Sequence, residues 1–360
     1  MYRNTYVEIN LKNLKYNIKK LIYRYNDYKY YFGVVKADCY GHNDIKTVKT
    51  IIDSGCNYLA VATLDEALII RKEFKDIPIL CLGIIDTKHI QLCIENNITI
   101  TISNLNYLKK LNKKYNKLKV HIKINTGMNR LGINNKEEFN EVYNLIKIKK
   151  MELEGIYTHI YNATNKYDTL KQYRIFEEIT SDINLKDIPI IHLSASEATE
   201  FYPKNKYANG CRLGISMYGL VDYKGIKFKS TFSLYSHIIQ INDVNNGIVG
   251  YNGTYKVNKK EKIAIVPIGY ADGIIRKNTG RNVYINNKSY KIIGNICMDM
   301  LFVKVDDSIK VGDKVTLIKD IEHIKLIAKH LDTITYEVIC SISKRVPRIY
   351  INNFIIHTLN

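Results

Sequence analysis

The stretch Tyr31-Phe32-Gly33-Val34-Val35-Lys36-Ala37-Asp38-Cys39-Tyr40-Gly41-His42 opens on an apolar run and ends it with a lysine and a short polar turn. A brief apolar run of this kind reads as a strand buried on both faces, with Lys36 at its carboxyl end. Outward from it the same texture recurs. Strand candidates lie at residues 31–35, 58–62, 78–83, 98–102, 120–125, 155–159 and 189–193, and amphipathic segments at 64–74, 136–149 and 167–183 fall between them. Strand then helix, repeated this often, predicts a parallel sheet with crossover helices, and the repeat count favours a closed (β/α)8 TIM-like barrel over an open sheet. No G-x-G-x-x-G opens a helix after the first strand and no Walker A pattern occurs, so a dinucleotide or nucleoside-triphosphate site has no support.

After about residue 230 the texture changes. Short apolar strands at 263–268 and 311–317, separated by turns such as Asn245-Asn246-Gly247 and Asn286-Asn287, predict a mostly-β domain with one late helix near 324–330. The expected organisation is an N-terminal strand at residues 1–9 that pairs with the C-terminal domain, a barrel over 10–230, and a C-terminal β-domain over 231–360. The 360 residues suffice to bury about three quarters of the unfolded surface. With 46% hydrophobic and 25% charged residues, disorder, collagen and coiled coil are excluded. No run approaches the ~20 apolar residues of a membrane span. The first residues lack an apolar signal core, so a cytoplasmic location is expected.

The net charge of +19 raises the question of nucleic acid. Its lysines are spread along the chain rather than gathered in a patch, so no nucleic-acid partner is expected. Seven scattered cysteines, none in a C-x-x-C pair, fit free thiols in a reducing compartment and give no metal site.

At the carboxyl end of a barrel strand, Lys36 sits where active sites form. Low dielectric there lowers an amine pKa and frees the lone pair that a Schiff base requires. Tyr40, just beyond, can offer its hydroxyl to a phosphate. Taken alone, a lysine in this place is more often one that snorkels from a strand end.

Residues 34–42 are not alone, however. They resemble the pyridoxal-phosphate lysine motif of the alanine racemase family, and the resemblance continues in order along nearly the whole chain. The further segments are 121–133, 156–159, 192–196, 212–219, 251–255, 267–273, 296–299 and 345–350. Thr126-Gly127-Met128-Asn129-Arg130-Leu131-Gly132 and Gly269-Tyr270-Ala271-Asp272-Gly273 are the most specific of them.

The resemblance implies a homodimeric enzyme that interconverts L- and D-alanine with pyridoxal 5′-phosphate and supplies D-alanine for peptidoglycan. Lys36 would hold the cofactor and exchange the proton on the D-alanine side, and Tyr251 would do so on the L-alanine side. A phenol of ordinary pKa near ~10 needs help for that, and His159, linked to Arg212, looks like its partner. Arg212 would face the pyridine nitrogen, where a permanent cation weakens the electron sink and limits side reactions. Gly214 and Ile215 would cradle the phosphate through backbone N–H groups, with Ser196, Tyr40 and Tyr350. Arg130 would hold the substrate carboxylate, a task suited to a guanidinium fork. Lys123 matches a family lysine often carbamylated. Met298 would contact substrate from the neighbouring subunit, and Tyr270 would line a narrow entrance. Asn125 and Ala195 stand where the family usually has Asp and Asn. A serine-preferring racemase, a fold-related decarboxylase and a non-catalytic cofactor carrier are the alternatives; Arg212 speaks against the second and the β-domain against the third.

Overall fold

The computed structural model describes residues 2–43, 45–111, 115–196, 204–223 and 225–352. Eight parallel strands form one sheet: β2 (Tyr30–Val34), β3 (Tyr58–Val61), β4 (Ile79–Cys81), β5 (Ile98–Ile102), β6 (Lys119–Lys123), β7 (Glu152–Tyr157), β8 (Ile190–His192) and β9 (Gly210–Leu213). The sheet closes on itself. β9 pairs with β2, and on its other side the Asn209 and Arg212 N–H groups donate to the Ile191 and Ser194 carbonyls at 3.0 and 3.2 Å. Strands such as Ile98-Thr99-Ile100-Thr101-Ile102 are buried at every position, as a barrel wall covered outside by helices requires.

The helices between the strands start on local signals. Thr63 and Glu66 form a reciprocal capping box before Leu64–Glu73, and Asn104, Asn135 and Asn165 accept backbone N–H groups at the starts of three others. The seven expected barrel strands hold to within a few residues, with one strand omitted. β9 was not foreseen as a strand, because Gly-Cys-Arg-Leu carries no β-branched run; its place is set by pairing across the closing barrel.

A second, nine-stranded sheet holds the strands after β9 together with one from the amino-terminal end, β1 (Tyr6–Asn10). The others are β10 (Phe232–His237), β11 (Gln240–Val244), β14 (Glu261–Val266), β15 (Asn282–Ile285), β16 (Lys288–Ile293), β17 (Leu301–Val305), β18 (Lys314–Ile318) and β19 (Arg348–Ile351), while β12 (Gly247–Val249) and β13 (Tyr255–Val257) make a separate hairpin. β1 lies between β10, antiparallel, and β19, parallel. Asn286 and Asn287 take φ of 49° and 65° in the β15–β16 hairpin, the paired left-handed turn that asparagine tolerates. Two late helices follow rather than one: Ile321–Leu331, and the short Thr335–Cys340, which no side chain caps and no sequence signal marks. Arg3 reaches across to the fully buried Asp272 at 2.8 Å. Among the described residues no helix is long and apolar enough to cross a membrane.

Candidate active site

The carboxyl ends of the barrel strands surround a cavity of about 540 Å³. Lys36 follows β2, and the four residues after it, Ala37, Asp38, Cys39 and Tyr40, all take positive φ of 51–55°. Each non-glycine residue in this left-handed region costs about 1–2 kcal/mol, so something must hold the turn. Glu66 does part of this. One carboxylate oxygen accepts the Ala37 N–H and the other the Ala62 N–H, both at 2.7 Å. The turn sends Lys36 and Tyr40 into the same cavity.

Arg130 reaches the cavity from a tight loop after β6. Asn125 is the hub of that loop. Its carbonyl oxygen accepts the Gly127 and Asn129 N–H groups at 3.2 and 2.9 Å, and its amide donates to the Asn129 and Asn134 side chains. Gly132 lets the loop return against β6, since a Cβ there would lie 2.5 Å from the Asn125 nitrogen.

Arg212, in β9, is 3% exposed. Its guanidinium donates to His192 Nδ1 at 2.7 Å, to His159 Nδ1 at 3.2 Å, and to the carbonyls of His192, Thr158 and Leu193. None of these partners is a carboxylate. Burial lowers its pKa to about 10, which still leaves it a cation at neutral pH. Burial, then the charges of Arg212 and Arg130, push His159 down to about 3, so its ring is neutral. Because Nδ1 accepts from Arg212, the ring proton lies on Nε2, where it can be donated.

Burial and then Arg130 lower the Lys36 amine pKa, and burial with Arg130, Arg212 and Lys36 brings Lys123 to about 8. Ser196 Oγ accepts the Gly214 N–H at 3.0 Å, and Ser216 donates to it at 2.9 Å. Beside them Gly214 leaves a gap: a Cβ there would stand 3.4 Å from the Tyr40 hydroxyl and 3.7 Å from Ser196 Oγ.

The structure therefore gathers Lys36, Tyr40, Lys123, Arg130, His159, Ser196, Arg212, Gly214 and Ile215 around one space. It does not bring the remaining predicted residues there. Tyr251, Met298 and Tyr270 lie on the β-domain, 70%, 53% and 41% exposed. Tyr350 is turned elsewhere, its hydroxyl donating to the His42 carbonyl at 3.0 Å. The tyrosine that lines the cavity from the carboxyl-terminal part of the chain is Tyr336, in Thr335–Cys340. Sequence reasoning missed it because its helix carries no signal, and it passed over Glu66, although the Thr63-x-x-Glu66 spacing could have marked it as a cap.

The comparisons agree with this geometry. Residues 9–222 match the family model "Alanine racemase, N-terminal domain" and residues 231–350 its C-terminal counterpart. "Alanine racemase 1" of Bacillus subtilis is 35% identical over 368 residues, covering 98% of this chain and 94% of that protein. An alanine racemase of Anoxybacillus flavithermus is 36% identical over 98% of this chain and 96% of its own length. The crystal structure of a Bacillus anthracis alanine racemase with bound L-Ala-P superposes with a TM-score of 0.92 at 33% identity, over 98% of this chain and 96% of that one. With both domain models matched in order and relatives aligned end to end, the chain belongs to the alanine racemase family.

Proposed function

We propose that the protein is a pyridoxal 5′-phosphate-dependent enzyme that interconverts L- and D-alanine, working as a homodimer in the cytoplasm and supplying D-alanine for peptidoglycan. One observation carries the site assignment. Among the described residues, the cavity lining contains four basic side chains, Lys36, Lys123, Arg130 and Arg212, and no Asp or Glu. Such a set repels further cations and suits a ligand with a phosphate and a carboxylate. The gap at Gly214, between the Tyr40 and Ser196 hydroxyls, gives the phosphate donors on a backbone too bare to block it.

When bound, the cofactor supplies an electron sink that acidifies the α-proton of the amino acid. The chain supplies the rest. Lys36, whose cation is disfavoured, offers a free amine both to hold the cofactor and to take or return the proton on one face. Arg130 orients the substrate carboxylate. Arg212 would set its guanidinium charge against the cofactor's pyridine nitrogen, and it donates to His159 Nδ1. The Nε2 proton of His159 would then stabilise the oxygen of Tyr251 of the partner subunit, which exchanges the proton on the opposite face. Exposed Ile248, Tyr251, Ile275, Met298 and Met300 on the β-domain support a second copy covering that surface and bringing Tyr251 and Met298 to the cavity. Lys123, with a pKa of about 8, is nucleophilic enough at neutral pH to add carbon dioxide as a carbamate, releasing a proton and giving Arg130 an anionic neighbour.

The test is chiral chromatography of the cofactor-loaded protein after separate incubation with L-alanine and L-serine, with Lys36→Ala as the blank. Conversion of L-alanine toward an equal mixture, ahead of serine and absent in the blank, is expected. Faster conversion of serine would overturn the substrate.

A further inference from the structure

Beneath the cavity, inside the barrel, a row of polar side chains runs from Arg212 to the opposite mouth. Arg212 donates to His192 Nδ1 at 2.7 Å, His192 Nε2 lies 2.9 Å from His121 Nδ1, and His121 Nε2 lies 3.2 Å from Glu154 Oε2. Both histidines are fully buried. The Glu154 side chain, near the start of β7, is 14% exposed at the far end of the row.

The ends fix the middle. A guanidinium can only donate and an ionised carboxylate can only accept. Arg212 therefore makes His192 Nδ1 an acceptor, which puts the ring proton of the neutral histidine on Nε2. That proton is donated to His121 Nδ1, so the second ring also carries its proton on Nε2, and only an acceptor can follow it. Glu154 is that acceptor, and the Tyr58 and Thr99 hydroxyls, at 2.5 and 2.9 Å, hold the same oxygen in place. Although burial raises its pKa, the His121, Tyr58 and Thr99 donors outweigh it and hold the carboxyl below its usual value, which favours the ionised form. Burial lowers the pKa of both imidazoles, which favours the neutral rings. His192 cannot swing aside, because its ring is stacked between Phe32 at 4.4 Å and Tyr157 at 4.6 Å.

We infer that Glu154 is a positioning residue for Arg212, acting through His121 and His192 as a hydrogen-bond chain of single polarity. Among the described residues every direct partner of Arg212 is neutral, and the carboxylate at the end of the row completes the chain of acceptors that holds the guanidinium against β8 and beneath the cavity. The kinetic part of this inference rests on the racemase reading above; the tautomer part does not.

Two measurements test it. In the wild-type protein with 15N-labelled histidine, His121 and His192 are expected as neutral rings protonated on Nε2 across pH 6–9. Either ring found protonated on Nδ1, or on both nitrogens, overturns the inference without touching the racemase reading. In the cofactor-loaded enzyme, Glu154→Leu, which keeps the bulk and removes the acceptor, is expected to lower kcat at least tenfold with KM for alanine within threefold. Glu154→Gln, whose amide oxygen can still accept, is expected to recover most of that loss. Equal loss in both variants, or loss in neither, overturns the inference. If Glu154→Leu does not fold, the nitrogen spectra of the wild type decide.

Discussion

Gly214→Ala separates cofactor binding from folding. Among the described residues, a Cβ at this position would meet nothing closer than the Tyr40 hydroxyl at 3.4 Å, then Ser196 Oγ at 3.7 Å and Val34 Cβ at 3.9 Å. These are ordinary van der Waals separations, and the backbone φ at Gly214 is not positive, so the folded chain accepts the methyl without strain. A compatible Gly→Ala change also restricts the unfolded chain, which contributes about 0.4–1 kcal/mol to stability. The cofactor-free variant should therefore unfold at the same denaturant concentration as the wild type or slightly higher. The methyl does, however, fill the gap between the two hydroxyls and shields the Gly214 N–H. Affinity for pyridoxal 5′-phosphate should fall at least tenfold, or ~1.4 kcal/mol. Absorbance titration of the cofactor-free protein reads the affinity, and urea unfolding reads the stability. Unchanged affinity would refute the placement of the phosphate at Gly214. A large loss of stability would refute the claim that the position accepts a methyl group.

Three further outcomes are expected. Tyr336→Phe should weaken cofactor binding several-fold, whereas Tyr350→Phe should leave it unchanged and cost only about 1 kcal/mol of stability through the lost bond to the His42 carbonyl, both read by the same two titrations. Tyr251→Phe should slow α-proton exchange from L-alanine at least ~100-fold in deuterated water while exchange from D-alanine falls less; equal loss from both would refute the assignment of two faces. Lys123 has a pKa of about 8 in the folded cofactor-free protein and the usual ~10.4 unfolded, so the unfolded chain binds more protons between those values. The stability advantage of the wild type over Lys123→Met should therefore grow from pH 8 to pH 10, by on the order of 2 kcal/mol, in urea unfolding measured at several pH values, whereas the buried thiols, whose raised pKa values lower stability over the same range, act on both chains alike.

Where a physical signal is local, the sequence displays it. The apolar run before Lys36, the Thr63-x-x-Glu66 spacing and the Asn286-Asn287 turn each determine their own few residues, and the structure shows a strand, a cap and a hairpin there. The eighth barrel strand and the helix bearing Tyr336 have no such signal, since one is placed by closure of the sheet and the other by packing after Ile321–Leu331. The site divides the same way. Lys36 and Arg130 stand in motifs that could be recognised, whereas Asn125 stood out only as a departure from the family and proves to be the hub of the loop that carries Arg130. The row from Arg212 to Glu154 was invisible beforehand, because its members come from four different strands or strand ends that meet only inside the closed barrel. Tyr350 illustrates the converse error: a residue near the right place in the chain, but on a strand paired to β1 and facing His42.

The central claim is that one cavity moves the α-proton of alanine on both faces. Its most direct test is to place the cofactor-loaded protein in deuterated water with L-alanine and follow both enantiomers by chiral separation with mass detection. Appearance of D-alanine carrying one α-deuterium, at a rate lost in Lys36→Ala, is the expected result. Deuterium entering L-alanine with no D-alanine formed would show exchange on a single face and contradict the claim.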